Sequence, residues 1–142
     1  MNKTLIFNMF FIILFGCDRV LIPITDNSAH KDFNLGDTIS VAYHQTVVND
    51  TEDLSIRFKE LIGDSRCPMD VVCFWQGDAD ILFTLNTTDE SKDFNLHTAW
   101  VNKRDTTLLD YHITLVDVKP YLHTEFEYRP EQYEAYVVVT HN

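Results

Sequence analysis

The chain has residue types that bind metals, but their spacing does not match a metal site. Its six histidines are His30, His44, His97, His112, His123 and His141. None stands in an H-x-H or H-E-x-x-H pattern, and none is paired with a cysteine at ligand spacing. His44, His97 and His112 would project outward from their strands and could together hold a metal, but scattered surface histidines are the favoured interpretation. We therefore expect no metal and no other cofactor.

Catalytic patterns are also missing from the sequence. It contains no G-x-S-x-G motif for a serine nucleophile. Carboxylates are so abundant that a glycosidase-like pair stays open, although the same abundance gives no particular pair any weight. We expect a protein that is not an enzyme and assign no catalytic residues. A hydrolase that uses two carboxylates is kept as an alternative.

An apolar run near the start of the chain ends at the motif Leu14-Phe15-Gly16-Cys17. Lys3 supplies an early positive charge, and the eleven residues 5–15 that follow are almost entirely apolar. At about 1.5 Å per residue such a run is too short to cross a bilayer core of about 30 Å. A charged start, an apolar middle and a small residue before the cut are typical of a secretory signal.

This layout resembles a bacterial lipoprotein signal peptide with its lipobox. The resemblance implies that residues 1–16 are removed, that Cys17 receives a diacylglyceryl group, and that residues 17–32 form a lipidated tether. The protein would then be exported to the bacterial cell envelope and anchored to a membrane, inner or outer, without crossing it. An ordinary signal peptide with a fortuitous Cys17 is the alternative.

Two cysteines remain once Cys17 is assigned to lipid. In an exported protein, Cys67 and Cys73 as an even remainder predict one disulfide. The loop between them is short, so the expected stabilisation is on the order of 2–2.5 kcal/mol. A metal site is the rival interpretation, but two cysteines without histidines at ligand spacing make a poor one.

Apolar and polar residues alternate with a period of two through most of the remaining chain. This pattern predicts half-buried antiparallel strands. The runs lie at 39–47, 54–58, 81–85, 94–100, 109–115 and 133–140. We expect an all-β fold in one domain over residues 33–142, an antiparallel β-sandwich of six to seven strands with one short disulfide loop, or alternatively a small barrel.

The least ordinary segment spans residues 64–77. Pro68 fixes the backbone beside the first cysteine, and Gly77 permits a turn into the next strand. Trp75 would share a strand face with Cys73 and pack beside the bridge. Asp64 and Arg66 flank the loop, where a bracing ion pair is favoured over a recognition site.

The same segment carries the pattern D-S-R-C-P, a second cysteine, and then W-x-G. In this it resembles a family of bacterial exported and lipoprotein domains. Phe33-x-Leu35-Gly36 and Tyr111-x-Ile113-x-Leu115 agree with that resemblance. The resemblance implies an all-β fold and the disulfide, and it implies no activity.

The charge of the chain limits its partners. It has 22 acidic and 11 basic residues, a net charge of −11, which becomes −12 when Lys3 is removed with the signal. Because such a surface repels phosphate backbones, we exclude nucleic-acid binding.

The leading hypothesis is a lipid-anchored, non-enzymatic binding module for an envelope protein or other envelope component. Its contact surfaces would be loops 64–77 and 121–131, since function on such scaffolds resides in loops. The main alternative is a carbohydrate-binding accessory domain that presents Trp100, Tyr121 and Tyr128 to a glycan.

Overall fold

A computed structural model describes residues 31–99 and 103–142 of the chain. Within these ranges almost every regular element is a strand. The strands are β1 (Lys31–Asp32), β2 (Thr38–Ala42), β3 (Thr46–Asn49), β4 (Leu54–Asp64), β5 (Ala79–Asn86), β6 (Ser91–His97), β7 (Asp105–Leu108), β8 (Tyr111–Lys119) and β9 (Glu134–His141). A single turn of 3₁₀ helix covers Pro130–Gln132. No helix in the described part of the chain is long and apolar enough to cross a membrane.

The strands form two open sheets. The first has five strands in the order β1-β3-β4-β5-β6, and the second has four in the order β2-β9-β8-β7. All neighbours are antiparallel except β1, which runs parallel to β3. The predicted all-β sandwich is confirmed, and the barrel alternative is wrong because the sheets do not close.

The core lies between the sheets and follows directly from the alternation in the sequence. In β5, for example, every second residue is buried and the intervening ones are only partly covered. Phe83 lies at the centre, with its ring 5.6 Å from those of both Phe58 and Phe94. Since apolar burial is the main stabilising term in folding, this aromatic row fixes how the sheet packs on its partner.

The nine strands exceed the predicted six to seven because β1 and β7 match none of the predicted runs and because the run predicted at 39–47 forms two strands, β2 and β3. Lys31 and Asp32 of β1, assigned to the tether, pair with Val47 and Val48. β7 was missed because its four residues are mostly polar. Leu109 was predicted to start a strand, but it has positive φ and belongs to the turn between β7 and β8.

The two ends of the sandwich differ. β4 ends and β5 begins at one end, and residues 65–78 between them contain both cysteines. The connection from β8 to β9, residues 120–133, lies at the same end, since Arg66 contacts the carbonyls of Val118 and Pro120 there. We call this the disulfide end. The turns at 50–53, 87–90 and 109–110 lie at the opposite end.

Several predictions from the sequence concern residues 1–30 and 100–102. The signal peptide, the lipobox with Cys17, most of the tether and Trp100 lie outside the described residues.

Replacing Phe83 with Ala is expected to lower the free energy of unfolding by about 3–5 kcal/mol, because a fully buried aromatic ring is lost. Phe74→Ala is the matched control, since that ring is almost fully exposed, and its effect should stay within about 0.5 kcal/mol. Urea unfolding followed by circular dichroism measures both. Similar losses in the two variants would contradict the assigned core.

Candidate functional site

A carboxylate and a guanidinium are paired at the base of the disulfide end. Nε of Arg66 donates to Oδ1 of Asp64 at 2.9 Å, and Nη2 donates to Oδ2 at 2.7 Å. Both side chains are largely buried, at 13% exposure for Arg66 and 5% for Asp64. This is the bracing ion pair that the sequence favoured over a recognition site.

The pair also holds the two sheets together. Arg66 donates from Nη1 to the carbonyl of Val118 at 2.6 Å and from Nη2 to that of Pro120 at 2.9 Å. The hydroxyl of Tyr133 donates to Oδ2 of Asp64 at 3.0 Å. The end of β4 is therefore joined to the end of β8 and to the residue that precedes β9. Each partner satisfies a polar group that would otherwise be costly to bury.

The titration of these groups reflects the same burial. Burial opposes the charge on Arg66, but the hydrogen bonds and charge of Asp64 outweigh this and raise the pKa of Arg66 above its usual value. Burial, followed by the nearby charge of Asp64, raises the pKa of Tyr133 to about 12. Arg66 therefore stays charged and Tyr133 stays protonated throughout the neutral range, as a structural clamp requires.

The disulfide loop begins beside this cluster. Cys67 and Cys73 are bonded, as predicted. The amide of Ser65 donates to the carbonyl of Asp78 at 2.7 Å, and that of Cys67 donates to Gln76 at 2.8 Å, so the two ends of the loop are paired. Gly77 has φ +73°, and a Cβ built there would lie 1.9 Å from the carbonyl oxygen of Ser65. Any residue with a Cβ at position 77 would therefore collide with the backbone of Ser65.

The loop also docks against the β8–β9 connection. The amide of Met69 donates to the carbonyl of Leu122 at 2.8 Å. The carboxylate of Asp70 accepts the amide of Thr124 at 3.0 Å and also the Thr124 hydroxyl. These bonds lower the pKa of Asp70. The loop is thus held by the disulfide, by its paired ends and by a neighbouring segment.

Five apolar side chains on this fixed loop face solvent. We call them the apolar tip: Met69, Val71, Val72, Phe74 and Trp75. Val72 and Phe74 are essentially fully exposed, and Trp75 is 76% exposed. Trp75 does not lie in the predicted extended strand: it is in a bend at residues 74–75, is largely exposed, and its ring lies edge-on to that of Phe74. Exposed apolar clusters of this kind are unusual on the surface of a monomeric protein.

The two tyrosines proposed for glycan binding use their hydroxyls for contacts within the protein. Tyr121 is half exposed, and its hydroxyl donates to the carboxylate of Asp117. Tyr128 is partly buried and donates to the carbonyl of Tyr121 at 3.3 Å. Both hydroxyls are therefore used to hold the β8–β9 connection, and Trp100 lies outside the described residues.

The histidines of the described residues contact different partners. Nδ1 of His97 lies 2.8 Å from Oδ2 of Asp78, where it ties the end of β6 to the start of β5. His112 lies on the outer face of the second sheet, 3.0 Å from the hydroxyl of Thr107 and 3.8 Å from Asp105. Thr107, His112 and Asp105 follow the order of a catalytic nucleophile, base and carboxylate. However, the three side chains are open to water, and the distance between His112 and Asp105 is longer than a hydrogen bond. Among residues 31–99 and 103–142, no three ligand side chains are grouped to hold a metal.

No protein family, curated protein sequence or solved structure matches this chain. The resemblances to a lipoprotein signal and to an exported domain family therefore stay predictions from the sequence.

Gly77→Ala is expected to be more destabilising than Gly36→Ala. Both positions have positive φ, which costs a residue with a Cβ about 1–2 kcal/mol. Only at position 77 does the added Cβ also collide with backbone, since nothing lies within 4 Å at position 36. Urea unfolding and the rate of proteolysis at the disulfide loop measure the difference. Equal effects would show that the close approach to Ser65 is not needed.

Tyr133→Phe is expected to flatten the alkaline loss of stability. An unfolded tyrosine ionises near pH 10, whereas Tyr133 in the folded protein ionises near pH 12. Its contribution is therefore complete below pH 10 and is lost as pH rises toward 12. The measurement is the slope of the free energy of unfolding against pH above pH 10. The variant also loses the hydrogen bond to Asp64, but that loss lowers stability by the same amount at every pH below 10, so the slope reports the ionisation of Tyr133. An unchanged slope would contradict the raised pKa.

Proposed function

We propose that this chain is a lipid-anchored protein of the bacterial cell envelope, a non-enzymatic binding module that works through its disulfide end. Cys17 carries the lipid, and the contact surface comprises the apolar tip and the adjoining β8–β9 connection. The observation that carries the proposal is that the most exposed large apolar side chains lie on a loop held by a disulfide and by hydrogen bonds at its base and to the β8–β9 connection.

Exposed apolar residues on a mobile loop would need no explanation. Here the loop is closed by the Cys67–Cys73 disulfide, and its base is clamped by Asp64 and Arg66. The tip therefore cannot turn inward to bury Val72 or Phe74. Ordering a loop before it meets its partner removes part of the entropy cost of binding. This is the arrangement expected of a preformed contact surface.

The same end of the molecule is poorly suited to catalysis or to binding sugar hydroxyls. Sugar recognition needs polar groups beside an aromatic face, yet Asp70 and Asp117 are occupied by Thr124 and Tyr121. The carboxylate of Asp64 is buried, and its charge is balanced by that of Arg66. On the apolar tip, Trp75 and Phe74 are exposed together with Val72, which favours an apolar contact over a glycan or a hydrolytic site.

Replacing Cys17 with Ser is expected to release the protein from membranes. The native protein should lack residues 1–16, carry the mass of a diacylglyceryl group on Cys17, and sediment with membranes. The variant should carry no lipid mass and appear in the soluble fraction. Mass spectrometry and membrane fractionation provide the measurements.

The matched control is the double variant Cys67→Ser, Cys73→Ser. It also replaces two cysteines with serine but leaves position 17 intact, so it should keep the lipid and the membrane association. An unmodified, uncleaved native chain, or a Cys17→Ser variant that still fractionates with membranes, would refute the anchor.

A further inference from the structure

We infer that the partner of the apolar tip is the lipid bilayer itself: the disulfide loop inserts Val72, Phe74 and Trp75 into the interface of the membrane that holds the anchor. This inference rests on the proposed function, because the lipid on Cys17 brings the loop to that membrane. The insertion fixes the orientation of the sandwich, with the disulfide end facing the bilayer.

Strand directions show how β1 is oriented relative to the disulfide end. β4 runs toward the disulfide end, and β3 is antiparallel to it and runs away. β1 is parallel to β3, so it also runs away from the disulfide end. Lys31 is therefore the residue of β1 nearer the disulfide end.

The tether is long enough to let the loop reach the membrane. Lys31 lies opposite Val47, which lies opposite Ile56 of β4, eight residues before Asp64. At about 3.3 Å per strand residue the start of β1 is roughly 25 Å behind the end of β4. Fourteen residue steps separate Cys17 from Lys31 and can span at most about 50 Å. A chain extended to little more than half of that limit covers the distance.

The charge distribution favours the same orientation. Between Cys67 and Gln76 the loop has no basic residue and one carboxylate, Asp70, which is already hydrogen-bonded. The turns at the opposite end are rich in carboxylates: Asp50, Glu52, Asp53, Asp89, Glu90 and Asp110. Because charged groups are costly to remove from water, the disulfide loop suits an apolar medium better than the turns at the opposite end.

The side chains of the tip suit the boundary between lipid and water. Tryptophan is enriched at that boundary because its ring is apolar and its indole N–H is polar. Phe74 and Val72 have no polar atoms on their side chains, and both are fully exposed. Glu125 and Glu127 lie on the neighbouring connection and stay exposed, so the contact is expected to be stronger with zwitterionic than with anionic lipid.

Fluorescence quenching tests the inference directly. The full-length lipoprotein with Trp100→Phe, in which Trp75 is the sole tryptophan, is reconstituted into phosphatidylcholine vesicles with and without brominated acyl chains. Trp75 should show blue-shifted emission and should lose most of its fluorescence when the brominated lipid is present. Replacing part of the lipid with phosphatidylglycerol should weaken the quenching.

The matched control moves the tryptophan to the other end of the sandwich. Thr88 is exposed in the turn between β5 and β6, so the lipoprotein with Trp75→Phe, Trp100→Phe and Thr88→Trp reports on that end. Its emission should stay red-shifted and unquenched. Quenching equal to that of Trp75 would show that the sandwich lies on the membrane without a preferred end, against the inference.

Vesicle flotation separates failure of the anchor from failure of the contact. A chain that does not float with the vesicles overturns the proposed anchor and this inference with it. A chain that floats while Trp75 remains unquenched overturns the bilayer contact alone. Cross-linking of position 75 to a protein in intact envelopes, with no quenching in vesicles, also overturns it and assigns the apolar tip to a protein partner.

Discussion

The architecture of the disulfide end depends on one buried contact, the bidentate pairing of Asp64 with Arg66. Removing either partner would leave a charge in a largely dry position, which is far costlier than the pair itself. Arg66 uses its remaining donors on the carbonyls of Val118 and Pro120, and Asp64 also accepts the hydroxyl of Tyr133. A single guanidinium therefore connects the end of β4 in one sheet to the end of β8 in the other. The geometry of every segment beyond that point depends on this connection.

Because this ion pair fixes the start of the disulfide loop, the loop can hold apolar residues in water. A short disulfide removes little chain entropy, so Cys67–Cys73 alone would not impose one orientation on the loop. The orientation comes from the paired backbone at Ser65 and Asp78 and from the docking of Asp70 on Thr124. The bridge then limits the remaining freedom at the tip. Exposure of Phe74 is thus a consequence of several constraints that act together.

The sandwich could be predicted from the sequence because its core strands have a regular alternation of apolar and polar residues. β5 and β9 show it without interruption, and the disulfide followed from the number of cysteines left after Cys17. β1 and β7 could not be predicted, since two and four mostly polar residues carry no periodicity and pair only because a neighbouring strand offers an edge. The carbonyls of Val118 and Pro120 that accept from Arg66 are more than fifty residues away and belong to the backbone, so residue type gives no signal for them. Trp75 was misplaced because the loop was taken as extended.

The asymmetry of the two ends follows from how the chain enters the fold. Among the described strands β1 is the one that pairs in parallel, and its direction places Lys31 nearer the disulfide end than Asp32. An antiparallel β1 at the same edge would instead place Lys31 nearer the acidic turns at 50–53 and 87–90. A lipid on that side would draw carboxylates toward the bilayer, where they are unfavourable, and would direct Phe74 and Trp75 into water. Under the proposed anchor, the direction of this two-residue strand therefore favours the disulfide end as the one that meets the membrane.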